Sequence, residues 1–150
     1  MPADAELRER IVAAARGYLG VAYTHQGMSE ARLDCRGLPL RVGRQLNLIG
    51  AAAEINNYGR QPNPARLRDL LAQYLLPIAL QDAREGDVLL LRVPKDPRHL
   101  AIRASMESGG ETWPTIIHAD NVTGQVVEQR LTDKTAALID SAWAFPELVL

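Results

Sequence analysis

The stretch "GDVLLLRVPKDPRHLAIRAS", residues 86–105, decides the fold class, because the spacing of apolar residues changes there. "GDVLLLRV" reads as a mostly buried strand. In "HLAIRAS", Leu100 and Ile102 fall on one face and His99, Ala101 and Arg103 on the other, the two-residue period of a half-buried strand. Downstream, "TIIHA" (115–119), "QVVEQRL" (125–131) and "LIDSAWAF" (138–145) predict three more strands. "SGGETWP", "DNVTG" and a polar linker separate them. Upstream the period is helical. Leu7, Ile11, Val12, Ala15, Tyr18 and Leu19 recur at three- and four-residue spacing, which predicts a helix over 4–18 stopped by Gly20. "VAYTHQGMSEAR" (21–32) reads as a polar loop. Asp34 is a favourable N-cap for a second helix running to about Leu48. "INNYGRQPNP" is a loop, and "ARLRDLLAQYLLPI" (65–78) a third helix with its end marked by Pro77. Helices followed by an antiparallel sheet of about five strands predict an α+β fold, with residues 1–150 as one domain.

Composition bounds the function classes. The chain has 150 residues, 47% hydrophobic and 23% charged, with a formal charge of −1. That is ordinary globular composition with no basic field for nucleic acid or an anionic membrane, so neither is an expected partner. No stretch is apolar for long enough to read as a signal peptide or a membrane span. The expectation is a protein made in the cytoplasm without an export signal and without membrane insertion.

Cys35, in "LDCRGL", is the only cysteine, so it has no internal disulfide partner. Residue type alone leaves two readings: a small buried apolar side chain, or a thiol with chemistry to perform. Its setting makes the second reading chemically sensible and leaves both open. A helix start carries unpaired N–H groups and partial positive charge, which stabilise a thiolate and can hold a tetrahedral oxyanion. Gly37, lacking a side chain, would let a substrate approach that helix end. A nucleophilic thiol needs a base, and the base an orienting partner. His99 and His118 lie on adjacent predicted strands, where side chains on one face come within about 5 Å of each other. Neither histidine, nor His25, has metal-ligand spacing with Cys35. G-x-G-x-x-G, P-loop and G-x-S-x-G motifs are absent. No metal or cofactor is expected.

Taken in order, "GYLGVAYTHQG", "DCRGLPLRVGRQL", "EGDVLLLRV", "HLAI" and "IIHADNVTGQVVE" resemble the NlpC-type cell-wall peptidases, papain-like cysteine hydrolases of peptidoglycan. The resemblance runs over about residues 10–147. "YTHQ" and the closing "FPEL" are similar to the branch encoded with phage tails and gene transfer agents. The resemblance implies a Cys-His-His triad: Cys35 as nucleophile, His99 as general base and acid, and His118 orienting His99. It also implies an oxyanion-site tyrosine at Tyr23, a structural cap at Asp34, and a structural or substrate-contact role for His25. The implied substrate is the peptide stem of peptidoglycan, and the implied partners are hub or tip proteins of a tail-like particle that acts on the target envelope. A second implied reading is a tail-tip assembly or plug module with the same fold and little activity.

Two residues depart from the family pattern. Arg36, directly after the nucleophile position, is open to three readings: it depresses the thiol pKa, it meets an acidic group of the substrate, or it is a solvated surface cation. Pro39, one turn after Cys35, has no N–H to donate to the Cys35 carbonyl and threatens the helix start.

Overall fold

In a computed structural model of the protein, residues 2–23, 32–33, 37–48, 64–92 and 97–149 are described. Helix α1 spans Pro2–Arg16. Its Ile11, Val12 and Ala15 are buried, as the helical spacing predicts, with Ala14 beside them, whereas Leu19, beyond the helix end at Arg16, is exposed. Helix α2 spans Gly37–Gln45. It ends short of the predicted Leu48 because Asn47 adopts φ 56°. That conformation lets the Leu48 N–H donate to the Gly43 carbonyl at 2.9 Å and the Asn47 N–H to the Arg44 carbonyl at 3.2 Å. The pair of bonds is a Schellman termination, which satisfies carbonyls the helix would leave open. Pro39 is the third residue of α2 and lies in its first turn, where a missing N–H costs no intrahelical bond.

Helix α3 spans Pro64–Tyr74 and corrects the reading of 65–78 as wholly helical. Leu76–Ile78 instead form a strand, β3. Pro77 drives Leu76 towards extended backbone, and as an edge residue it owes the sheet no donor on its open side. β3 pairs with the last strand of the chain, placing Pro77 opposite Trp143.

The five predicted strands are present: β4 (Val88–Arg92), β5 (Pro97–Ser108), β6 (Glu111–Asp120), β7 (Gln125–Arg130) and β8 (Ile139–Ala144). With β3 and two further short strands, β1 (Ala22–Tyr23) and β2 (Arg32–Leu33), they form an eight-stranded sheet in the order β2-β1-β7-β6-β5-β4-β8-β3. The polar-loop reading of 21–32 is therefore corrected at its two ends. β1 runs parallel to β2 and antiparallel to β7. Residues 108–114, expected to separate strands, mostly continue them: β5 and β6 pair out to Ser108 and Glu111. Gly109 (φ 60°) and Gly110 (φ 81°) close the hairpin, the two positive φ angles that a type I′ turn demands. A short helix, α4 (Asp133–Ala136), occupies the polar linker, with Thr132 capping the Thr135 N–H.

Strand alternation divides the sheet into two faces. Leu100, Ile102, Ala104, Ile117, Ala119 and Val126 form a core with Ile11 and Ala15 of α1 and Leu38 and Val42 of α2. Leu89, Leu91, Ala101, Ile116 and Ala142 form a smaller cluster on the other face. The segment "EGD" (85–87) leads into β4 and packs against Arg8 of α1. Asp87 is fully buried, and its Oδ2 accepts the Arg84 N–H at 2.8 Å. Its Oδ1 lies 3.0 Å from Arg8 Nη1 as an ion pair without hydrogen-bond alignment. Arg8 Nη1 donates to the Glu85 carbonyl at 3.0 Å.

Candidate active site

His99 pairs with Leu91 near the start of β5, and His118 pairs with Val127 in β6. Ile102 faces Ile117 across the β5–β6 ladder, so alternation puts His99, Ala101, Ile116 and His118 on one face. This is the face of the smaller cluster, opposite the one that α1 and α2 cover. His99 Nε2 lies 2.7 Å from His118 Nδ1. The rings meet edge to face, with centroids 4.8 Å apart and planes at 86°. His118 is buried.

Burial, reinforced by the positive charge that His118 can carry and partly opposed by the Asp120 carboxylate, lowers the His99 pKa to about 4. Asp120 is held below the usual carboxylate range despite partial burial, because the Val122 and Thr123 N–H groups donate to it and His118 lies nearby. With these groups alone around it, His99 is an uncharged imidazole at neutral pH, free to take a proton once a thiolate stands beside it. With Nε2 committed to His118, its Nδ1 has no hydrogen bond among the described residues and carries the lone pair of a base if Nε2 holds the proton.

A residue that sequence reasoning missed completes the chain of contacts. His118 Nε2 lies 3.0 Å from Gln129 Oε1. Gln129 pairs with Ile116 and Val127 with His118, so Gln129 is the diagonal neighbour of His118 on the same face. The only signal for it in the sequence was the alternation of "QVVEQRL", which selects a partner only once register is known.

Tyr23 is half-buried on β1, packs against the main core, and donates its N–H to the Gly124 carbonyl at 2.8 Å, beside the β6–β7 turn. Gly37 is buried at the start of α2. Cys35, Arg36, Asp34 and His25 lie outside the described residues. The segment holding Cys35 joins Leu33, the last residue of β2, to Gly37, the first of α2. Among the described residues there is no group of three or more His, Cys, Asp or Glu side chains able to hold a metal. No helix there is long and apolar enough to cross a membrane.

No family model matches the sequence, and no curated protein matches it. Solved structures do match. The NlpC/p60 domain of the peptidoglycan hydrolase SagA is 24% identical with a TM-score of 0.58, over 92% of this chain and 98% of that domain. NlpC1 of Trichomonas vaginalis (16% identity, TM-score 0.60) and an NlpC/P60 family protein of Bacillus cereus (14%, 0.61) each align with 92% of this chain. The chain spans 44% and 40% of the length of those two proteins. The architecture is thus the papain-like NlpC/p60 fold, α+β with helices packed on a mainly antiparallel sheet.

Proposed function

We propose that the protein is a cysteine peptidase or amidase that hydrolyses an amide bond in the peptide stem of bacterial peptidoglycan, with Cys35 as nucleophile, His99 as base and His118 as its orienting partner. The observation that carries this reading is the 2.7 Å contact between His99 Nε2 and His118 Nδ1, which leaves a neutral His99 with Nδ1 available. His99 is the third residue of its strand, and the mechanism requires the Cys35 side chain to meet it around that strand end. The Cys35 segment is held on one side by β2 and on the other by α2, whose Leu38 and Val42 pack in the same core as Leu100 of β5. The peptidoglycan hydrolase named among the structural neighbours has the same fold.

In this mechanism the Cys35 proton passes to His99 Nδ1 and the thiolate attacks the amide carbonyl. The tetrahedral intermediate collapses as Nδ1–H protonates the leaving amine, and a thioester remains. His99 then takes a proton from water, the hydroxide attacks the thioester, and the acid product departs as the thiol is restored. Helix N–H groups at the start of α2, with the Tyr23 hydroxyl, would hold the oxyanion. Arg36 and Gly37 would line the substrate side of the thiol. The "YTHQ" and "FPEL" segments support placement in a phage-tail or gene-transfer-agent particle, which delivers the enzyme to the target envelope. The rival reading is a weakly active or inactive assembly module, which a helix start distorted by Pro39 would favour; Pro39 falls in the first turn of α2, where its missing N–H costs no intrahelical bond.

The test is the rate of iodoacetamide alkylation of Cys35 against pH, in wild type and His99→Gln. The expected result is a thiolate plateau extending below about pH 7 that the variant loses, followed by release of stem-peptide fragments from sacculi by wild type and not by Cys35→Ser. A thiol that titrates near its ordinary value of about 8.5 in both proteins would overturn the proposal.

A further inference from the structure

We infer that Gln129 is a positioning residue that fixes the tautomer of His118 and, through it, decides which nitrogen of His99 serves as the base. The inference rests on the function proposed above. It extends that function by one link beyond the histidine pair.

A neutral imidazole has one N–H and one lone pair, so two histidines in contact can be arranged in two ways. In the first, His118 keeps its proton on Nε2, accepts at Nδ1 from His99 Nε2–H, and leaves His99 Nδ1 as a lone pair. In the second, His118 donates from Nδ1 to His99 Nε2, and His99 must carry its proton on Nδ1. That nitrogen is then blocked as a base. The 2.7 Å contact is compatible with both arrangements, because it joins nitrogens of either role. The other end of His118 breaks the tie. Gln129 presents its carbonyl oxygen, Oε1, to His118 Nε2 at 3.0 Å, and an oxygen only accepts. In this orientation of the Gln129 amide the proton is placed on Nε2 of His118, which selects the first arrangement. When His99 Nδ1 takes the thiol proton, the resulting imidazolium keeps its Nε2–H bond to a neutral His118 whose own proton points at an amide oxygen.

Gln129 is itself exposed, so water competes for the His118 ring. The position on the diagonal of the β6–β7 ladder is what gives the amide its advantage: the register keeps Gln129 next to His118 on the same face. Its amide has a donor half and an acceptor half, and this predicts opposite results for two substitutions. A carboxylate can replace the acceptor half. A thioether of similar length can replace neither half effectively.

The test is the protonation state of each imidazole nitrogen in 15N-histidine-labelled protein at pH 7.5, read by long-range proton–nitrogen correlation in wild type, Gln129→Glu and Gln129→Met. The same spectra report whether each variant is folded. The expected result is His118 protonated at Nε2 in wild type and in Gln129→Glu, and a mixture of tautomers in Gln129→Met. In the reaction, Gln129→Met should lower kcat roughly 10-fold with KM unchanged, the low end of what a metal-bound histidine loses with its outer hydrogen-bond partner. Gln129→Glu should recover most of that loss while moving the acid limb of the pH profile upward, because a carboxylate beside His118 favours its protonated form, which cannot accept from His99. His118 protonated at Nδ1 in wild type would overturn the inference. So would unchanged tautomers and rate in Gln129→Met, since water would then set the tautomer unaided. If wild type shows the expected tautomers and Gln129→Met loses them while Cys35 is inert to alkylation, the proposed function fails and the assignment of Gln129 stands.

Discussion

His99 gives up proton affinity on folding, and that has a consequence for stability as well as for catalysis. Its pKa falls from 6.5 to about 4, first through burial and then through His118. Between those two values the unfolded chain binds a proton at this residue that the folded chain does not. Stability therefore falls as pH is lowered through that window, and the His99 contribution is flat above it. Asp87 works in the opposite direction, because burial raises its carboxyl and the folded state binds that proton more readily. The comparison that isolates His99 is the change in urea midpoint between pH 7 and 4.5 for wild type and for His99→Gln. The variant should lose less stability on acidification, and parallel profiles would refute this account. His99 and His118 were legible as a pair in the sequence, since each stands on a strand with a clear two-residue period. Gln129 was not, because only the observed register of β6 against β7 selects it over its exposed neighbours.

At the scale of elements, the contact between α1 and the segment leading into β4 is the most exposed to substitution. Arg8, nearly buried on α1, neutralises the fully buried Asp87. Removing one member of a buried ion pair leaves the other charge without compensation, at a typical cost of about 3–5 kcal/mol. Arg8→Met should accordingly lower the urea midpoint strongly at pH 7 and less at pH 4, where Asp87 can take up a proton. An equal loss at both pH values would show that packing, not charge, is what Arg8 supplies. Gly86 is constrained twice, by φ +94° and by the Cα of Arg8 lying 3.3 Å from where a Cβ would stand. Gly86→Ala should cost more than about 1 kcal/mol in denaturant unfolding, since it combines a positive φ with a tight backbone contact that α1 must shift to relieve. A cost indistinguishable from zero would mean that α1 shifts freely on the sheet. The three helices and five long strands were readable because each carries its period over several residues. β1, β2 and β3 were not readable, because two or three residues are too short to show a period and their pairing partners lie far along the chain.

For the whole molecule, the proposed delivery of the enzyme to the envelope by a particle predicts weak retention of the isolated protein on purified sacculi, measured by co-sedimentation. Tight retention would place the targeting surface on this chain and sink that part of the proposal. Apolar periodicity alone was sufficient to assign the helices-then-sheet class, and residue chemistry to single out Cys35, His99 and His118, because both are local properties of the chain. The charge state of His99 and the chain of contacts from His99 through His118 to Gln129 came only with folding. They depend on desolvation and on ring-to-ring geometry between residues 19 and 11 positions apart, which exist once three strands have taken a single register.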